Sequence, residues 1–116
     1  LYTLRPDLTE EIELLLDSGE DGCIRDPDVH WDGQRVLFAW KKGDRNDDYH
    51  LYEMDLETRD VRQLTFGLGD ADYEGIYLPD DNILFTSTRC VQVIDCFTTD
   101  TSNFYIAIGM ASIYAG

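Results

Sequence analysis

Two groups of carboxylates carry the strongest chemical signal in the sequence. Asp26 and Asp28 stand just before His30, and Asp70, 44 residues after Asp26, opens a second group with Asp72 and Glu74. Carboxylates held close together raise one another's pKa and invite a cation or a basic group. Residues 70–75 superficially match a calcium loop, but the EF-hand pattern fails. Asp81 rather than Glu stands at the last ligand position, Pro79 interrupts the loop, and neither flank reads as a helix. The plainer alternative is that these Asp side chains cap turns beside a strand. His30 brings an imidazole that titrates near neutral pH, which suits a metal ligand or a general base. No second His is near it in sequence, and His50 falls at the start of another predicted strand, so both are read as structural. No metal site and no catalytic residue is assigned.

The cysteines offer less. Cys90 and Cys96 are separated by five residues, which is neither the CxxC of zinc and redox sites nor the CxxCH of haem attachment. A disulfide between them is the expectation, favoured by an oxidising compartment, with free thiols or metal ligation as alternatives. Cys23 reads as a small buried hydrophobe. There is no Gly-x-Ser-x-Gly elbow and no Gly-rich phosphate loop, since Gly67-Leu68-Gly69 is followed by acids. Arg89 is expected to pair with one of the many carboxylates.

Charge narrows the classes of partner. The 116 residues carry 9 Lys and Arg against 24 Asp and Glu, a net charge of −15. Nucleic-acid binding needs clustered basic residues, and docking on anionic membranes needs the same, so both are excluded as expectations. No apolar run approaches the roughly 18 residues of a spanning helix. Of the acids, 17 are Asp and 7 are Glu. Asp favours turns over helix interiors, and many turns imply short strands. Residues 101–116 carry no charge at all. Leu1 is not a start methionine, and the chain reads as a piece of something longer.

The elements that must position these residues follow from a repeat. Leu1-Tyr2-Thr3-Leu4 and the run Ile12 to Leu16 recur as Leu51-Tyr52-Glu53-Met54-Asp55 and Val61-Arg62-Gln63-Leu64-Thr65, with a weaker third copy at Phe104-Tyr105-Ile106. Between them, residues 26–38 match residues 73–85 at an offset of 47, setting Val29 on Ile76, His30 on Tyr77 and Val36-Leu37-Phe38 on Ile83-Leu84-Phe85. Periods of about 40–50 residues in a strand-rich chain point to propeller blades of four strands. In the complete unit the strands are expected at 28–31, 35–40, 50–55 and 61–65, with Asp32-Gly33 as a hairpin turn. The run Ile12 to Leu16 is read as a strand rather than a helix, because the repeat puts an outer strand there. Val36, Phe38, Ile83 and Phe85 are expected between adjacent sheets, with Trp31, Trp40, Tyr52 and Tyr77 as packing between blades rather than a stacking platform.

The fold expected is therefore all-β, made of β-propeller blades that are four-stranded antiparallel sheets, here a fragment of about two blades. Residues 1–21 end a preceding blade, 22–66 form a complete one, and 67–116 a following blade, partial or divergent at its end. Residues 27–38 with 51–55 and 62–65 resemble the TolB-type, WD40-like propeller repeat. Residues 77–90 resemble the middle propeller domain of the hydrazine synthase alpha subunit and its bacterial relatives. The resemblance covers about residues 22–106, and Asp81 departs from it by standing where a turn Gly is usual.

The resemblance implies a periplasmic or extracellular protein. It also implies a non-catalytic binding or scaffolding segment whose partner is another protein or another domain of the parent chain. No cofactor is expected within the segment. The first alternative is the propeller part of a multihaem oxidoreductase subunit like hydrazine synthase alpha, with haem elsewhere in the parent. The second is the propeller gate of a serine peptidase. Loops entering innermost strands lie on one face of a propeller, so Asp26, Asp28, His30, Asp70, Asp72 and Glu74 are the expected ligand or partner face.

Overall fold

A computed structural model describes residues 1–4, 12–43, 47–90, 93–94 and 97–107. Every regular element among them is a strand. In chain order these are β1 (Tyr2–Leu4), β2 (Ile12–Leu14), β3 (Cys23–Val29), β4 (Arg35–Lys41), β5 (His50–Asp55), β6 (Val61–Gln63), β7 (Asp72–Tyr77), β8 (Ile83–Ser87), β9 (Val93–Ile94), β10 (Phe97–Asp100) and β11 (Asn103–Ala107). The fold is all-β, a fragment of about two propeller blades. One blade is the four-stranded antiparallel sheet β3-β4-β5-β6, and the next is the three-stranded sheet β11-β8-β7. β1 pairs with β2, and β9 with β10, as separate hairpins. Residues 108–116, most of the uncharged tail, lie outside the described residues.

The expected four-strand unit forms one sheet, but its innermost strand begins earlier than the sequence suggests. The strand was expected at 28–31, and Pro27 just before it cannot donate to a ladder. Instead β3 runs from Cys23 through Pro27 by means of a bulge between Arg25 and Asp28, with Asp26 at φ 54°. β7 repeats the device between Tyr73 and Ile76, with Glu74 at φ 55°. A bulge leaves one residue unpaired and bends the strand, which admits both the proline and the left-handed residue.

The bulges also correct the repeat alignment. Asp28 faces Leu37 and Val29 faces Val36, while Ile76 faces Leu84 and Tyr77 faces Ile83. The inner strands therefore match at an offset of 48, with Val29 on Tyr77, not on Ile76. The missing residue is in the turn. His30 and Arg35 close a loop of four residues, Leu78 and Asn82 a loop of three. In the shorter turn Asp81 takes φ 63°, the left-handed position that a three-residue hairpin requires after its type I turn. Asp tolerates it because its short polar side chain relieves the strain that a bulky one would add.

Second and third strands keep the expected register. Phe38 faces Tyr52 in one sheet, and Phe85 faces Tyr105 in the other. Two apolar layers follow from the alternation along β4. Leu37 and Ala39 join Leu51, Leu64, Tyr77, Ile83 and Phe85 between the two blades. Val36 and Phe38, with Tyr52 and Met54, take the opposite face, where Leu1, Leu15 and Leu16 pack on them. All four expected core residues are buried, but Val36 and Phe38 line one layer and Ile83 and Phe85 the other. The relation is that of a repeat, because each pair faces the element that precedes its own sheet. Val29 is 59% exposed while its counterpart Tyr77 is 5% exposed, since only the β1–β2 hairpin and its flank cover the first face. Beyond the second blade, Ile76, Phe104 and Ile106 are likewise exposed.

Phe38→Ala should cost about 3–5 kcal/mol, as expected for emptying a fully buried aromatic site. Phe104→Ala, at a position 77% exposed, should stay within about 0.5 kcal/mol. Chemical denaturation of both variants checks the difference, and equal losses would mean the faces are assigned wrongly.

Candidate functional site

The structure divides the expected acidic face into an open groove and a buried joint. Asp26 and Asp28 on β3 and Glu74 on β7 line a cleft of about 240 Å³ together with Pro27, Gly75 and Ile76. Here the inner edges of the two sheets run side by side without pairing. The carboxylates tie them: Asp26 Oδ2 accepts the N–H of Glu74 at 3.2 Å, and Asp28 Oδ2 accepts the N–H of Tyr77 at 2.8 Å. Asp26 also pairs with Arg25, and Glu74 Oε2 accepts the hydroxyl of Thr86 at 3.1 Å. Backbone donors left open by an edge strand are thus met by side chains from the neighbouring sheet.

Asp72 is not part of that groove. It is fully buried, and both of its oxygens accept from Arg89 Nη2 at 2.8 Å. His50 Nδ1 lies 3.4 Å from Asp72 Oδ2, and His50 Nε2 lies 2.7 Å from Asp47 Oδ1. The N–H of Asp72 donates to the carbonyl of Tyr49 at 2.7 Å. Asp72 shares a face of its sheet with Phe85, so β7 carries it into the joint between blades rather than toward the groove. Asp70 is also removed from the groove. It is half-buried in the Gly67–Asp70 turn, where its N–H donates to the carbonyl of Gly67. The expectation that five carboxylates gather on one face is therefore corrected to three.

His30 sits at the opposite rim of the same joint. It is buried, with Nε2 2.5 Å from Asp81 Oδ1, Nδ1 3.0 Å from Asp32 Oδ2 and the ring edge-on to Tyr77 at 4.6 Å. Burial works to raise the Asp32 carboxyl, but the N–H of Gln34 and the His30 ring outweigh it and hold the group below its ordinary value. Beside His30 lies a polar cluster that the sequence reading did not single out. Glu53 is buried, accepts the hydroxyl of Tyr77 at 2.6 Å, and pairs with Arg62 and, at 3.7 Å, with Arg35. Desolvation first, then the Glu53 contact, push the Tyr77 phenol far above its usual range, so it stays a donor. Arg35, Glu53 and Arg62 open onto a cleft of about 320 Å³ with Asp55, Thr58, Asp60 and Val61. The available signal was a Glu at the middle of a buried strand, which demands a cation.

The remaining expectations fare unevenly. Arg89 pairs with a carboxylate as expected. Tyr77 packs between the two blades as expected, and Trp40 and Tyr52 on the opposite face with Leu1, Leu15 and Leu16, but Trp31 is 74% exposed because it lies in the four-residue turn rather than on β3. Cys23 is exposed, not buried, because β3 is an edge strand with its burial alternating from this end. Cys90 is a free, exposed thiol, so the disulfide is not seen, and Cys96 lies outside the described residues. Among the described residues no three His, Cys, Asp or Glu side chains are arranged to hold a metal ion. No described helix is long and apolar enough to cross a membrane.

The sequence has a counterpart among known enzymes. The chain is similar to oligogalacturonate lyase of Dickeya dadantii (strain 3937). The two are 33% identical over 76 residues, which is 64% of this chain and 19% of the lyase. The chain thus spans about a fifth of the length of the relative it matches. No family model matches the chain. The hydrazine synthase resemblance gains no support from these comparisons.

Two measurements test the site. Arg89→Met leaves Asp72 buried without its guanidinium and should cost about 3–5 kcal/mol. Arg25→Met removes an exposed pair and should cost under about 1 kcal/mol, both read by urea denaturation. The second test concerns acid. Asp55 is held below the ordinary 3.8 by the N–H of Thr58 first and of Glu57 next. A depressed carboxyl stabilises the fold fully above its unfolded value and loses that contribution as pH falls through the folded one. Thermal midpoints measured from pH 5 downward should therefore fall less steeply for Asp55→Asn than for the wild type.

Proposed function

We propose that the two sheets form a non-catalytic propeller segment, acting as a binding and scaffolding module of a larger secreted or periplasmic protein. One observation carries the reading. The buried ionisable side chains bind one another across and within the sheets, Asp72 with Arg89 and His50, Glu53 with Arg62 and Tyr77. Groups committed in this way hold the sheets together, which is scaffolding chemistry. What stays open to a partner is the groove of Asp26, Asp28 and Glu74. Its occupant is a basic segment of another protein or of a neighbouring domain in the parent chain, drawn by a net charge of −15. Nucleic acid and membrane insertion are no part of this reading, and neither is a cofactor within the segment.

The match to a lyase favours a second, enzymatic reading. On it, Arg35 and Arg62 at the larger cleft would pair with the carboxylates of an acidic oligosaccharide, as guanidinium groups do. Release of unsaturated products from oligogalacturonate by the parent protein decides for it. The multihaem alternative rests on residues 77–90 and stands or falls with CxxCH motifs in the flanking sequence. The peptidase gate needs a Gly-x-Ser-x-Gly domain there.

Titration of the chain with an oligolysine peptide tests the leading reading. Asp26→Asn with Glu74→Gln keeps hydrogen-bond acceptors but removes two charges. It should weaken binding about tenfold or more, and the binding should fade with salt. Equal affinity for both proteins would remove the groove from the proposal.

A further inference from the structure

Both histidines of the chain stand at the joint between the two blades, one at each rim. Carboxylates face both nitrogens of each ring, but donors face the ring as well at His30. At His30 the ring nitrogen Nδ1 lies 3.1 Å from the backbone N of Asp32 and 3.0 Å from Asp32 Oδ2, while Nε2 faces Asp81 Oδ1 at 2.5 Å and Arg35 Nη2 at 2.8 Å. Each nitrogen of His30 thus faces both a donor and a carboxylate oxygen, so these contacts are met by more than one form of the ring. At His50 both nitrogens face carboxylate oxygens, Nε2 that of Asp47 at 2.7 Å and Nδ1 that of Asp72 at 3.4 Å. An ionised carboxylate only accepts, and a neutral imidazole has only one N–H to give. Only the doubly protonated ring donates on both sides.

The surroundings leave little room for another solution. The His50 side chain is 3% exposed and that of Asp72 is 0% exposed, so water is a poor substitute for either contact. The charged groups facing the ring are Asp47 from the β4–β5 connection and Asp72 from β7, with Arg89 behind Asp72. Just past β4, Lys42 stands over the rings of Trp40 and Tyr52. Two cations, imidazolium and guanidinium, then balance two carboxylates in a cluster that crosses the joint. Next to it the N–H of Asp72 donates to the carbonyl of Tyr49, a backbone bond between the blades.

We propose that His50 is a proton-operated latch between the two blades. With both ring protons it ties the β4–β5 connection to β7 through Asp47 and Asp72. Loss of one proton leaves one of these carboxylates facing a bare nitrogen, and that tie is released. The latch is closed while the ring holds both protons and opens when one is lost. The inference does not depend on what the acidic groove binds.

The test is carried out on the 116-residue chain. Histidine-selective nitrogen NMR between pH 5 and 9 reports how many ring nitrogens carry protons, with His30 as a reference in the same molecule. Hydrogen exchange reports the protection of the Asp72 N–H over the same interval, corrected for the intrinsic pH dependence of exchange. The expected result is a His50 ring protonated on both nitrogens at the acid end. As it loses a proton, Asp72 protection should fall about tenfold. In His50→Gln that fall should vanish. A His50 ring with one proton throughout, or Asp72 protection that ignores the titration, overturns the proposal. If His50→Gln does not fold, the two wild-type measurements decide it.

Discussion

A carboxylate with no access to solvent sets the terms for the joint between the blades. Burying Asp72 costs several kcal/mol unless a cation and further donors meet it. Here Arg89 meets it from the far end of β8 and His50 from the near end of β5, while its backbone N–H reaches Tyr49. Each partner comes from a different element. The cluster is complete only when β5, β7 and the end of β8 hold one relative position. Apolar layers tolerate sliding, because burial is non-directional, whereas this contact does not. The layer of Leu37, Leu51, Tyr77, Ile83 and Phe85 supplies the driving force, and Asp72 supplies the register.

The inner strands solve a related problem. β3 and β7 lie edge to edge without a ladder, so their outward N–H groups need other acceptors. Asp26 and Asp28 provide them, and the bulge in β3 re-aims those side chains across the gap. The same carboxylates border the groove read as a partner site. One set of residues therefore joins the sheets and marks the surface, which explains why turn-forming Asp and site-forming Asp are hard to separate by composition.

Much of the architecture was legible from residue order. The pairing of Phe38 with Tyr52 and of Phe85 with Tyr105 follows the repeat, since strands that recur with the same apolar faces pack the same way. The inner strand was less legible. Pro27 masked a strand that the bulge carries through, and the one-residue difference between turns moved the alignment from 47 to 48. A deletion in a turn leaves no mark on apolar periodicity, so an ungapped comparison absorbs it silently. Trp31 and Cys23 were misplaced for another reason. Both were judged by residue type, whereas exposure at a turn and along an edge strand is set by what lies opposite.

By itself the sequence determined the all-β class, the four-strand unit and the direction in which its second strand buries alternate residues. These are properties of period and residue type along the chain, where 2-residue alternation and turn chemistry act locally. Only the tertiary structure decided which acids are surface and which are joint. Asp72 and Glu74 are two residues apart on β7, yet one is sealed against Arg89 and the other borders an open cleft. Glu53 likewise looks like any strand glutamate until Arg62, Arg35 and Tyr77 converge on it from three other strands. A carboxylate's role depends on the cations and donors that folding brings to it, and those partners are distant in sequence.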